Sequence, residues 1–314
     1  MGISRRYFLK RTAMIAGTTI IGSSQNILAN KDPIHKPDHY SVLVDTTFCN
    51  GCRRCEWACN EWNKLPNQPI KSFEDKSVFE QMRRTHAGTF TVVNRFINPE
   101  DSTPLYVKTQ CMHCEDPACL SACFVEAFRK TEKGAVVYNP DVCVGCRYCI
   151  VACPFDIPAY EYYEPINPRV TKCTFCFDRM SKEDRVPACV EICPTETLRF
   201  AKRGELIGLA HERIRNNPHK YIAHVYGEHE VGGTNWLYLS AVPFNEIGFR
   251  TDLGKNPIPN LGKGFLFMVK VFEVIAAWPL VFAAFYAISK LRNNHMKNET
   301  ISSEKKVEER GKKP

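Results

Sequence analysis

No cysteine in this chain of 314 residues stands outside four short runs. Scattered, inert, buried cysteines would not segregate in that way. The formal net charge is +8, but the middle of the chain has no basic stripe interleaved with aromatics. The excess gathers at the two ends, which argues against a nucleic-acid partner. Gly232-Gly233-Thr234 is followed by neither a Gly-Lys-Thr nor a helix start, so it reads as a turn and not as a phosphate loop. The one long apolar run, 265–288, contains no histidine and cannot ligate a haem. Nor is there an evident nucleophile with its base, acid–base pair or open metal position, which leaves the chain without a substrate site of its own.

What the chain does have is sixteen cysteines at regular spacing. Cys49, Cys52, Cys55 and Cys59 follow C-x2-C-x2-C-x3-C, and Cys111, Cys114, Cys119 and Cys123 follow C-x2-C-x4-C-x3-C. Cys143, Cys146, Cys149 and Cys153 repeat the first spacing, with Pro154 next. Cys173, Cys176, Cys189 and Cys193 follow C-x2-C-x12-C-x3-C, with Pro194 next. Thiolates at i, i+3 and i+6 on a tight loop converge on three corners of an iron–sulfur cube. The cysteine three residues further on lies on the departing turn and ligates the other cluster of a pair. Four runs predict four 4Fe–4S clusters. A zinc-binding exported scaffold is the alternative of a different class. Structural zinc closes with four ligands drawn from two C-x2-C pairs, and the third member of the first and third runs has no place in that scheme. A disulfide framework is the default for a cysteine-rich exported chain, but these spacings suit a cluster better than crossing bridges.

Residues 1–29 read as an export signal. Ser4-Arg5-Arg6-Tyr7-Phe8-Leu9-Lys10 is a twin-arginine motif, followed by a mildly apolar stretch from Thr12 to Ile21. Ala29 suits the residue before cleavage, whereas Ile27 fits an A-x-A site poorly, which leaves cleavage open. A chain that folds and loads its cofactors before export carries its thiolates out already occupied, protected from oxidation.

Ser41-Val42-Leu43-Val44-Asp45 alternates as a short strand feeding the first cysteine loop, and Ala135–Pro140 repeats the pattern ahead of the third. The expected fold is therefore α+β: two ferredoxin-like 4Fe–4S units over 40–200 with insertions, plus one C-terminal transmembrane helix. Residues 61–108 form an insertion over the cluster face, with a strand at Phe90–Ile97. An extension at 201–260 is expected to hold a helix at Glu205–Ile214, a strand at Lys220–Tyr226 and a turn before Trp236–Leu239. The run 265–288 is long enough to cross a bilayer core of ~30 Å at ~1.5 Å per residue. Its charges, Lys270 and Glu273, lie one turn apart near the entry end, and Pro279 marks a kink point. Lys290 and Arg292 follow at once, which puts the C-terminus in the cytoplasm and the cluster region outside. The mixed-charge tail, 289–314, is expected to be disordered.

The motifs Phe48-Cys49-Asn50-Gly51-Cys52-Arg53-Arg54-Cys55, Cys111-Met112-His113-Cys114, Val142-Cys143-Val144-Gly145-Cys146-Arg147-Tyr148-Cys149 and Lys172-Cys173-Thr174-Phe175-Cys176 carry a resemblance. Over roughly 40–240 the chain resembles the four-cluster iron–sulfur subunits of membrane-bound respiratory complexes. The resemblance implies that the first run pairs with the fourth and the second with the third. Cys49, Cys52, Cys55 and Cys193 would hold one cluster, and Cys59, Cys173, Cys176 and Cys189 its neighbour. Cys111, Cys114, Cys119 and Cys153 would hold a third, and Cys123, Cys143, Cys146 and Cys149 the last. Asn60 and Phe124 stand where a ferredoxin often has proline, without removing a ligand. Gly51 and Gly145 let backbone N–H groups point at sulfur. Arg53, Arg54 and Arg147 either stabilise the reduced clusters or are plain surface arginines near an acidic partner. His113 is expected as a hydrogen-bonded neighbour and not a ligand.

The implied partners are an exported catalytic subunit, of a nickel–iron hydrogenase or a molybdenum/tungsten enzyme, and a multi-helix quinone-reactive membrane subunit. Export signal and membrane tail together look most like the hydrogenase-linked branch, with formate dehydrogenase as runner-up.

Overall fold

Two facing apolar stripes on one short strand organise the folded region. In the computed structural model, which describes residues 38–258 and 271–292 except 273, 277 and 280, β1 (Tyr40–Asp45) is the middle strand of three. On one side it pairs antiparallel with β8 (Leu198–Lys202), Tyr40 opposite Lys202 and Val44 opposite Leu198. On the other it pairs in parallel with β9 (Trp236–Leu239), Val42 opposite Trp236. Because alternate residues of a strand face opposite ways, Leu43, Leu237 and Leu239 pack with Leu206 and Ala210 of the helix Arg203–Asn216. Val42, Val44, Trp236 and Tyr238 pack on the opposite face with Met112, Phe175, Met180 and Cys189. One face of the sheet thus rests on a helix and the other on the cysteine loops.

The four runs are joined by three antiparallel hairpins. β2 (Thr91–Ile97) and β3 (Pro104–Gln110) lie between the first and second runs. β4 (Phe128–Lys130) and β5 (Val136–Tyr138) lie between the second and third, and β6 (Ala159–Tyr160) and β7 (Val170–Thr171) between the third and fourth. The β1–β8 pairing then closes the circuit, since β1 leads into the first run and β8 leaves the fourth. Short helices follow the cysteine loops, Arg54–Trp62 after the first and Tyr148–Ala152 after the third, as the repeat of strand, loop and helix predicts.

The segment 61–108 reaches back to the first cysteine loop. Phe73 and Phe79 are buried, Phe79 packs 5.1 Å from the Tyr106 ring, and Lys76 Nζ donates to the Gly51 carbonyl at 2.7 Å. The expected strand at Lys220–Tyr226 does not form. Its buried residues, Tyr221, Val225 and Tyr226, do not alternate, and Val225 and Tyr226 enter different cores in succession. Only Tyr226 bridges a strand, exchanging two backbone hydrogen bonds with Tyr238. Tyr221 is held instead by its hydroxyl, which donates to Asp45 Oδ2 at 2.8 Å, where Arg213 Nη1 donates at 2.7 Å.

Toward the C-terminus, Val274–Arg292 forms a helix of 19 residues with mean hydropathy 1.7, and its described residues are exposed. By length and composition it is able to cross a membrane, and it runs past the expected end at 288. Residues 1–29, Lys270, Glu273 and the tail from 293 onward lie outside the described residues.

Candidate iron–sulfur sites

All sixteen cysteines are free thiols, so no disulfide framework forms. They gather in fours. Cys49 lies beside Cys52 of its own loop and Cys193 of the fourth run, and these three with Cys55 line one cavity. Cys59, last of the first run, instead faces Cys173, Cys176 and Cys189. Cys114 faces Cys111, Cys119 and Cys153, while Cys149 faces Cys123, Cys143 and Cys146. In each group three thiols come from one run and one from its partner run, so the fourth cysteine always crosses over.

The groups are also neighbours in series, each successive pair sharing a packed cluster. Cys55 of the first group lies near Cys189 of the second, Cys173 of the second near Cys111 of the third, and Cys119 of the third near Cys149 of the fourth. The groups are thus neighbours from the first to the fourth, and among the sixteen thiols only Cys146, in the fourth, is exposed to solvent.

Left-handed backbone positions build the loops. Gly51 and Arg53 have φ of 68° and 56°, and Gly145 and Arg147 repeat them at 70° and 61°. Such residues turn successive N–H groups into a concavity that favours anions. Gly145 N donates to Cys143 Sγ at 3.4 Å, Phe175 N to Cys173 Sγ at 3.4 Å and Ala127 N to Cys123 Sγ at 3.2 Å. Close packing adds a second constraint at both glycines. A Cβ on Gly51 would meet Tyr106 Cδ1 at 2.4 Å, and one on Gly145 would meet Tyr160 Oη at 2.8 Å.

A further repeat went unread in the sequence. Glu126, Asp156 and Glu196, each three residues after the last cysteine of a run, have φ of 54°, 51° and 50°. Each donates its N–H to the carbonyl of that cysteine. The recurring acidic residue at that offset was the available signal.

Burial pushes the Cys153 thiol up to about 11 and those of Cys149 and Cys173 up to about 12. As free thiols they hold their protons at neutral pH, so iron must displace those protons on binding. Among the described residues, no three Cys, His, Asp or Glu side chains are placed to share one metal ion. A zinc site draws four sulfurs to within about 2.3 Å of a single point, whereas a cubane gives each thiolate its own iron. Thiols gathered in fours yet held apart, with N–H donors aimed at sulfur, fit 4Fe–4S clusters.

The expected arginines do not face the thiols as a group. Arg53 is buried, but it donates to Glu56 Oε2 at 3.2 Å and lies over the Phe73 ring, while Arg54 is exposed. Arg147 lies over the Tyr160 and Tyr162 rings. The cations that act on the thiols from inside the fold are buried Lys108 on Cys55, Cys59, Cys173 and Cys189, buried Lys172 on Cys119, buried Arg179 on Cys176 and half-buried Lys130 on Cys114. Lys108 and Lys130 carry no spacing signal, and sequence reasoning passed over them. His113 is fully buried, and burial followed by the charges of Lys172 and Lys130 holds its ring neutral. Its Nδ1 accepts the Val136 N–H at 2.9 Å, which is the supporting role expected of it.

Hairpin-linked cysteine runs, thiols grouped across paired runs and N–H donors to sulfur define a ferredoxin-like 4Fe–4S protein. Residues 103–203 match the 4Fe–4S dicluster domain. The chain is 47% identical over 300 residues to a protein of Nitratidesulfovibrio vulgaris, covering 96% of this chain and 77% of that one. It is 34% identical over 280 residues to the hydrogenase-2 operon protein HybA of Escherichia coli, covering 78% of this chain and 83% of the relative. It is 36% identical over 203 residues to the iron–sulfur subunit of the nitrate-inducible formate dehydrogenase of the same species, covering 63% of this chain and 66% of the relative. The chain belongs to this family of iron–sulfur subunits and acts as an electron-transfer subunit, not as a catalytic one.

Proposed function

We propose that the chain is the four-cluster wire of a membrane-bound respiratory complex, carrying electrons between an exported hydrogenase-type catalytic subunit and a quinone-reactive, multi-helix membrane subunit. The four thiol groups, neighbours in series, carry this reading. Cys49, Cys52, Cys55 and Cys193 hold the first cluster, and Cys59, Cys173, Cys176 and Cys189 the second. Cys111, Cys114, Cys119 and Cys153 hold the third, and Cys123, Cys143, Cys146 and Cys149 the fourth. When bound, the clusters supply one-electron chemistry. The chain's residues supply ligation, spacing and a dry, low-dielectric surround.

Residues 1–29 act as the export signal, 40–200 as the double ferredoxin-like region with its insertion at 61–108, and 201–260 as an extension that buttresses β1. The apolar helix anchors the chain in the cytoplasmic membrane, with the cluster region on the periplasmic side and the tail in the cytoplasm. The hydrogenase branch is favoured by extent. The match to HybA runs over 280 residues and that to the formate dehydrogenase subunit over 203.

The test is to tag the chain in its native host, solubilise membranes without oxygen and assay the metals that accompany it. Nickel is expected. Molybdenum or tungsten in its place would move the chain to a formate dehydrogenase or a related reductase.

A further inference from the structure

Lys108 lies in β3, on the hairpin inserted between the first two cysteine runs, and only 3% of it is exposed. Its ammonium donates to Thr91 Oγ1 and Gln110 Oε1, each at 2.7 Å, and sits 4.5 Å from the centre of the Trp236 ring. Hydroxyl, amide oxygen and indole are all neutral. No carboxylate among the described residues forms an ion pair with it. An ammonium buried among neutral partners is costly unless an anion lies close by. Lys108 lines the cavity of Cys49, Cys52, Cys55 and Cys193, and the Trp236 ring it covers packs in one cluster with Cys189. The sulfurs of Cys189, Cys55 and Cys173, which carry negative charge once iron displaces their protons, are within its electrostatic reach. Cys55 belongs to the first thiol group, and Cys173 and Cys189 to the second. Lys108 therefore stands at the junction between two groups. Lys130, by contrast, already has Glu115 at 3.3 Å.

We propose that Lys108 is a positioning residue for electron transfer: its fixed charge is shared by the first two clusters and raises the reduction potentials of both. The inference rests on the ligand groups proposed above. Each electron that arrives adds negative charge beside a cation that cannot move away. In a dry interior that attraction is screened far less than at the surface. Thr91 and Gln110 hold the ammonium in place, and the Trp236 face gives it a third side without neutralising it. On this account the hairpin β2–β3 is more than cover, because it delivers the charge.

The experiment is a potentiometric titration of the purified complex, followed by the electron paramagnetic resonance of each reduced cluster, for the wild type, Lys108→Met, Lys108→Gln and Lys108→Arg. Met keeps the apolar bulk, Gln keeps a donor for Thr91, and Arg keeps the charge. Both neutral variants are expected to make reduction of two clusters at least about ten-fold less favourable. That factor corresponds to a fall of ~59 mV for a one-electron couple, with the other two potentials unchanged and Lys108→Arg near wild type. Unchanged potentials in the neutral variants, or an equal shift in all four clusters, would overturn the proposal. Loss of iron from both neutral variants but not from Lys108→Arg would report the same dependence on charge. Loss from all three would contradict it. Iron and sulfide measured on the wild-type sample separate this outcome from a failure of the four-cluster reading, which would show as too little of either.

Discussion

Gly145 and Glu56 show how single residues hold the cysteine loops in shape. Gly145 has φ of 70°, and a methyl group there would strike the Tyr160 hydroxyl. Gly145→Ala should therefore cost on the order of 1–3 kcal/mol through backbone strain alone, with the contact added. The expected observation is faster thermal bleaching of the cluster absorbance, and a variant as stable as wild type would refute the packing described here. Glu56 is buried, accepts from Arg53, from both terminal nitrogens of Arg83 and, at 2.6 Å, from Val93 N, and so ties the first helix to β2. Removing one partner of a buried ion pair leaves the other charged and unpaired, at a cost of roughly 3–5 kcal/mol. Glu56→Ala should consequently lower the denaturation midpoint far more than Glu205→Ala on the exposed first turn of the helix Arg203–Asn216. At this scale the gathering of the cysteines was legible because their spacing announces it, and the lysines were not. A buried lysine is indistinguishable in sequence from a surface one until the fold shows what surrounds it. Arg53 illustrates the converse: it lines the cavity of the first thiol group, yet its guanidinium donates to Glu56 and to the Asp75 carbonyl, partners that its place between two cysteines did not announce.

Elements were legible where periodicity was clean. The strands ahead of the first and third runs, and the strand within the insertion, formed close to where alternation put them. Lys220–Tyr226 failed because its backbone pairs with the neighbouring chain at isolated points only, one hydrogen bond from Ile222 to Ser240 and the exchanged pair between Tyr226 and Tyr238. The parallel pairing of β9 with β1 joins residues far apart in sequence, and no local pattern encodes it. The helix Arg203–Asn216 is well placed for an element-scale test. Gly208 sits in its interior with open space where a Cβ would go. Gly208→Ala should stabilise the protein by about 0.5–1 kcal/mol, because glycine costs that much in a helix interior. An upward shift of the unfolding temperature would show it, and a downward shift would mean that the face is occupied in the assembled complex.

For the whole molecule, the arrangement follows from one topological fact: the strand entering the first run pairs with the strand leaving the fourth. That closure brings the first and fourth runs together and leaves the second and third to pair through the β4–β5 hairpin. The crossed grouping of the thiols then follows. Spacing in the sequence predicted the kind of cofactor and its number. The identity of the partner runs came from family resemblance, because sixteen equivalent thiols can be divided into fours in many ways without a fold. The central claim is that the four groups hold four cubanes. Iron and acid-labile sulfide per chain, measured on the complex purified without oxygen, test it most directly. Four cubanes predict at least about 16 of each, and zinc without sulfide, or about half that iron, would contradict the account.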